Sequence, residues 1–239
     1  MKSIHIIFLV LLLFVSYFAD AQNIYLVSVG VSDYPGKVND LILPAQDARA
    51  LHRLYKSNAK VTSVLLTDSR ARKKHILSES KKLFDKAERN DIVVLFFSGH
   101  GVKGGFAAYD GLLLNEEIRQ LFSGCKARSK MVFADACFSG DIRDHVNSGF
   151  KDPENNIMLF LSSRDNESSI EYSWMRNGVF TACLLRSLKG GADVNRDRVI
   201  TAKELFRAVS AGVIKLSQGT QHPVMWGNFD DTMPVMIWK

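Results

Sequence analysis

From residue 24 onward, short apolar runs rich in Val, Ile and Phe alternate with longer stretches in which apolar residues return every three or four positions. The runs read as buried strands and the periodic stretches as amphipathic helices, so their alternation predicts a parallel sheet covered by helices. Strands are predicted at Ile24 to Val31, Val61 to Leu66, Ile92 to Phe97, Met131 to Ala134 and Ile157 to Leu161. Between them, Ala45, Ala48, Leu51, Leu54 and Tyr55 share one helical face, and Ser69 is placed to cap a helix whose apolar face carries Ile76, Leu77, Leu83 and Phe84. Further helices are predicted at Asn115 to Phe122, at Val179 to Leu188 with Gly190-Gly191 closing it, and at Lys203 to Leu216. No repeat, low-complexity tract or Pro/Gly/Ser-rich linker divides this stretch. The expectation is one α/β domain over 22–239, a three-layer αβα sandwich.

The first 21 residues differ in character. Lys2 is followed by almost unbroken apolar sequence from Ile4 to Phe18 and then by Ala19-Asp20-Ala21, with small residues where a signal peptidase reads them. The apolar run is about 15 residues where a membrane span needs roughly 20. Residues 1–21 are therefore expected to be a signal peptide cut before Gln22, giving a periplasmic or extracellular protein without a stable membrane anchor. No cysteine ends the apolar run, which disfavours a lipoprotein.

Composition then narrows the classes. At 46% hydrophobic and 23% charged residues the chain is an ordinary globular one. Cys125, Cys137 and Cys183 are an odd number of cysteines, so at least one thiol stays unpaired and a disulfide framework is a poor reading. The net charge of +6 is modest. Its basic cluster, from Arg70, Arg72, Lys73 and Lys74 to Lys81, Lys82 and Lys86, is interleaved with acids at helical spacing, which reads as a solvated helix face and not as a nucleic-acid surface.

Gly-rich and polar segments follow predicted strands at 98–111, 138–156 and 163–178. In an open parallel sheet such segments emerge at the carboxyl edge, where ligand crevices form. The strand ending at Phe97 runs into Ser98-Gly99-His100-Gly101, and the strand ending at Ala134 runs into Asp135-Ala136-Cys137-Phe138-Ser139-Gly140. An imidazole and a thiol on adjacent loops of one edge suit a nucleophilic dyad: His100 favours the Cys137 thiolate and later protonates a leaving amine. Glycines on both loops let main-chain N–H groups, such as those of Gly101 and Cys137, approach a developing oxyanion. Zinc is the chemical rival, but no CxxC or HxxxH spacing supplies further ligands. Cys125 and Cys183 lack such surroundings and read as structural.

At these residues the chain resembles the caspase and metacaspase family of cysteine peptidases. Ser98-Gly99-His100-Gly101 is similar to that family's histidine motif and Asp135 to Gly140 to the metacaspase cysteine motif, with Phe138 standing where a polar residue is usual. Val29 to Tyr34, Ala45 to Leu51, Leu161 to Ser163 and Glu167 to Glu171 extend the likeness over most of the chain. The resemblance implies a caspase-like, mostly parallel six-stranded sheet. It also implies a specificity pocket holding Asp47, Ser98 and Asp135, which selects a cationic side chain and so cleavage after Arg or Lys of a peptide or protein substrate. The alternative is a non-catalytic caspase-like module that binds a peptide or partner in the same crevice.

One further motif lies near the C-terminus. Asp193, Asn195, Asp197, Val199, Thr201 and Glu204 occupy positions 1, 3, 5, 7, 9 and 12 of an EF-hand-type calcium loop, with Arg198 where the sharp turn normally needs glycine. No cofactor is required by the dyad. Calcium ordering of this loop, or a capped acidic turn with no metal, are both open, as is a calcium-binding structural protein on this loop alone.

Overall fold

The computed structural model describes residues 22–58, 60–102, 104–137, 157–164, 167, 169–172 and 174–238. The proposed signal segment and most of the segment following Cys137, including Phe138 to Gly140, lie outside them. Chain order is β1 (Ile24–Gly30), α1 (Pro44–Lys56), β2 (Val61–Thr67), α2 (Lys73–Phe84), β3 (Ile92–Ser98), β4 (Gly101–Val102), β5 (Gly105–Ala108), β6 (Gly111–Leu114), α3 (Asn115–Ser123), β7 (Ser129–Asp135), β8 (Ile157–Leu161), α4 (Val179–Arg186), β9 (Val199–Thr201), α5 (Ala202–Leu216), β10 (Val224–Gly227) and β11 (Pro234–Ile237).

Six of these strands form one sheet in the order β10-β8-β7-β3-β1-β2, parallel throughout except for β10. Strand side chains alternate across the sheet and feed two cores. Val27, Val29, Val93, Leu95, Phe97, Val132 and Leu159 pack with Ile76 and Phe84 of α2 and Ile118 and Phe122 of α3. Leu26, Val94, Phe96, Met131, Phe133 and Phe160 pack on the other face with Leu51 and Tyr55 of α1, Phe180 and Leu184 of α4, and Leu205 and Val209 of α5. This is a three-layer αβα sandwich. Every residue of β3 is buried, because the strand is central and covered on both faces.

The five strands expected from apolar runs are all present, and the structure adds shorter ones. The segment 98–111 is a hairpin sheet, β4-β5-β6, and β9 pairs with β11 in a separate ribbon. Ser69 does not cap α2. It sits in a short 3₁₀ turn, Asp68–Arg70, and the helix starts at Lys73, whose N–H donates to Asp110 Oδ1 at 2.9 Å from the distant hairpin. The cluster's Lys73, Lys74, Lys81 and Lys82 lie on α2, with Lys73 paired to Glu117 and Lys81 to Asp85, while Arg70, Arg72 and Lys86 flank the helix. Among the described residues no helix is long and apolar enough to cross a membrane.

Register fixes what lies at the carboxyl edge. Gly30, Ser98 and Asp135 are level with one another at the ends of β1, β3 and β7. The loops that follow β3 and β7 therefore leave the sheet side by side.

Candidate active site

The contact between those two loops is close. Gly99 N–H donates to Asp135 O at 3.2 Å. At Gly101 a Cβ would stand 1.7 Å from the carbonyl oxygen of Cys137, so only glycine lets the histidine loop lie this close against the cysteine's backbone. Cys137 is exposed while Cys125 and Cys183 are buried, and all three are free thiols. Burial pushes the Cys125 thiol up from its ordinary value and the Cys183 thiol up to about 11, which keeps both protonated and inert.

His100 is held from a direction that the sequence did not suggest. Its Nε2 lies 2.8 Å from the main-chain oxygen of Asn39 in the loop after β1. A carbonyl oxygen only accepts, so Nε2 is the protonated nitrogen in this contact, and the neutral imidazole carries its lone pair on Nδ1. The ring of Tyr34 stands 5.1 Å from the imidazole, centroid to centroid.

Asp47, Ser98 and Asp135 also come together. Asp47 enters from the first turn of α1, and Ser98 Oγ donates to its Oδ2 at 3.0 Å. Its Oδ1 accepts from Asn177 Nδ2 at 2.8 Å and Gly178 N at 3.1 Å. Asp135 accepts from Ser169 Oγ at 2.9 Å on Oδ1, and from Thr181 N at 3.1 Å and Thr181 Oγ1 at 2.7 Å on Oδ2. The two carboxylates close on one point: a Cβ at Gly178 would lie 2.6 Å from Asp135 Oδ2 and 3.3 Å from Asp47 Oδ2.

Both acids are buried, at 1% and 6% exposure, and neither meets a cationic side chain among the described residues. Desolvation, and then the charge of Asp135, hold the Asp47 carboxyl well above the ordinary aspartate range. Desolvation likewise raises Asp135, against the hydrogen bonds from Thr181 and Ser169. Glu171, half-buried, adds a third acid within electrostatic reach of Asp135 and His100, and it is raised chiefly by burial. The result, among the described residues, is a pocket lined by acids with no cationic side chain against them.

Asn177, Thr181, Ser169 and the Asn39 carbonyl were not anticipated from the sequence. Ser169 and Glu171 fall in a segment whose likeness to the family was visible, without a role attached. Asn39 contributes a backbone atom, which no residue type can announce.

The 193–204 loop is built differently. Asp193 accepts from the N–H groups of Asp197 and Arg198, Asn195 Oδ1 from Asp197 N, and Asp197 Oδ1 from Val199 N. Glu204 turns back onto Thr201, accepting from its N and Oγ1 and forming the capping box of α5. Arg198, at φ 68°, occupies the left-handed turn that the calcium pattern assigns to glycine. Among the described residues no group of three or more His, Cys, Asp or Glu side chains is placed to hold a metal ion.

Comparison with known proteins agrees with the fold. No curated protein matches the sequence at a significant level. Among solved structures, that of a Geobacter sulfurreducens protein superposes with a TM-score of 0.70 at 18% identity, covering 91% of this chain and 100% of the other. A family model described as the caspase domain matches residues 26–233, nearly the whole of the described sheet and its helices. With that match and this architecture, the chain belongs to the caspase domain family of peptidases.

Proposed function

We propose that the protein is an exported cysteine endopeptidase in which His100 and Cys137 form the dyad and the Asp47–Ser98–Asp135 pocket selects Arg or Lys before the scissile bond. The observation that carries this reading is the pair of buried carboxylates closing on one point, without a cation among the described residues, at the ends of the elements that lead into the loops bearing the imidazole and the thiol. A guanidinium or ammonium entering the pocket supplies the missing charge, and Arg matches two carboxylates through its fork of donors. A substrate aspartate would meet three acids in a partly desolvated site.

In the mechanism, His100 Nδ1 takes the Cys137 proton, and the resulting imidazolium keeps its Nε2–H on the Asn39 carbonyl. The thiolate adds to the carbonyl carbon after Arg or Lys. The main-chain N–H groups of Gly101 and Cys137 are the donors proposed for the oxyanion. As the intermediate collapses, the C–N bond breaks and Nδ1–H passes to the leaving amine. Water, deprotonated by the same nitrogen, then hydrolyses the thioester and returns the thiol.

The test uses the mature chain and peptide amides ending in Arg, Lys or Asp. Wild type should cleave after Arg and Lys only, while Cys137→Ala and His100→Ala should each lose activity because the pair acts as a unit. Cys125→Ala and Cys183→Ala should remain active. Near wild-type turnover in either dyad variant would sink the assignment. Tight binding of an Arg peptide with no cleavage would instead favour the binding-only module.

A further inference from the structure

The loop after β1 makes a second contact with the histidine, on its backbone. Tyr34 is 7% exposed, and its hydroxyl accepts from His100 N at 3.0 Å while donating to Ala107 O at 3.1 Å. Ala107 N in turn donates to His100 O at 2.9 Å. The phenol therefore sits between the histidine's main chain and the hairpin strand β5 that flanks it. Burial pushes the phenol up to about 12, so it stays protonated and can serve both roles at once.

The surroundings are arranged around this hydroxyl. Tyr34 N donates to Asp40 Oδ1 at 3.0 Å, and Ser32 N and Asp33 N donate to Asp68 Oδ1 at 2.9 and 3.2 Å, fixing the loop at both ends. A Cβ at Gly99 would come within 2.7 Å of the Tyr34 hydroxyl, so a side chain there would displace it from His100. The same loop carries Asn39, whose carbonyl holds the imidazole at Nε2. One short stretch of chain thus grips His100 at its backbone N–H, its ring face and its ring nitrogen.

We propose that Tyr34 is a positioning residue of the dyad, whose hydroxyl fixes the His100 backbone and so the direction in which the imidazole presents Nδ1 to the thiol. This rests on the assignment of His100 and Cys137 as the dyad. A proton transfer needs its base within hydrogen-bond reach and correctly aimed, and small misplacement costs rate without touching the substrate pocket. Tyr34 makes no hydrogen bond to Asp47 or Asp135 among the described residues, so substrate affinity should not depend on it.

The experiment compares wild type, Tyr34→Phe and Tyr34→Ala on an Arg peptide amide, reading kcat and KM separately, melting temperature, and the pH dependence of Cys137 alkylation by iodoacetamide. Loss of the hydroxyl alone should lower kcat about 10-fold or more, with KM within about twofold and the fold intact. Alkylation of Tyr34→Phe should show a displaced pH profile. If Tyr34 only fills space, Phe will restore what Ala loses, and kcat within about twofold of wild type in Tyr34→Phe would overturn the proposal. A wild type that is inactive, or a Cys137→Ala variant that is active, would overturn the dyad reading itself. An active wild type with a dead Cys137→Ala and an unaffected Tyr34→Phe overturns only the role of Tyr34.

Discussion

Asp47 and Asp135 come together from α1 and from the end of β7, and both are buried where the helices and loops meet. Asp193, Asn195 and Asp197 come from a single turn, with Asp193 half-buried and the other two exposed. Every carboxylate oxygen in the pocket has a donor, and so do the main ones in the turn. The electrostatic outcome nevertheless differs. In the pocket the donors are neutral and the surroundings are desolvated, so burial raises both carboxyls and the charge of Asp135 raises Asp47 further. In the turn, water screens the charges and the loop's own N–H groups use the oxygens, so little demand is left. Acids gathered by tertiary structure form the proposed receptor, while acids gathered by local sequence form a turn.

The strongest way to break this comparison is to remove one pocket charge. Asp135→Asn keeps an acceptor for Thr181 but leaves a bound guanidinium short of one charge, which should lower kcat/KM for Arg substrates by about 2 to 5 kcal/mol, roughly 30- to 5000-fold. Turnover of any residual uncharged substrate should change far less. Indifference of the Arg rate to this substitution, or efficient cleavage after Asp in the wild type, would falsify the pocket assignment even if the dyad stands.

A smaller effect, of opposite sign, is expected on stability. Asp47 and Asp135 have folded-state values above the aspartate reference of 3.8, so the fold binds protons more tightly than the unfolded chain does. Their contribution to stability is fully present below the unfolded value and is lost as pH rises through the folded values. Above that window the ionised pair weakens the fold. Asp47→Asn removes one charge while keeping an acceptor for Gly178 and a donor toward Ser98. At neutral pH it should melt higher than wild type, by on the order of 1 kcal/mol or about 2 to 4 °C for a domain of this size. The advantage should shrink as pH falls toward 4, and an Arg-like cation such as agmatine should raise the melting temperature of wild type more than that of the variant. A variant less stable than wild type at neutral pH would mean that the hydrogen bonds from Asn177 and Gly178 outweigh the repulsion.

The same contrast explains how much could be read from the chain. The sheet was legible because β1, β3, β7 and β8 are covered on both faces and so carry mainly apolar runs. β4 to β6 were missed because they are two to four residues long, begin with glycine and are only partly buried. At the site, His100 and Cys137 stood out by following apolar strands. Asp47 and Ser98 were identified only through likeness to a family, since nothing local distinguishes an aspartate in the first turn of a helix. Ser169, Asn177 and Thr181 lie far along the chain from the acids they serve, and the Asn39 contribution is a carbonyl. The calcium pattern was legible from spacing alone, and its oxygens serve the turn's own backbone.

The smallest effects should come from that turn, where the two readings of one acidic loop separate. Thr201 Oγ1 accepts from Glu204 N at 3.3 Å and Glu204 Oε2 accepts from Thr201 N at 3.0 Å, so the pair closes the N-terminus of α5. Thr201→Ala removes one arm and should cost about 1 kcal/mol, the usual worth of such a cap. It should leave kcat/KM for Arg substrates unchanged, because the loop makes no contact with Asp47, Ser98 or Asp135 among the described residues. Calcium is the sharper probe: a bound ion would have to draw Asp193, Asp197 and Glu204 away from the N–H groups they now satisfy, with Arg198 adding positive charge beside it. If these bonds are the loop's resting use, millimolar calcium should shift the wild-type melting temperature by less than about 1 °C, since an ion bound only near its Kd adds little. A larger rise that disappears in Glu204→Gln would show that the oxygens can be recruited, and that exposed local acids can also make a receptor once a divalent cation is present.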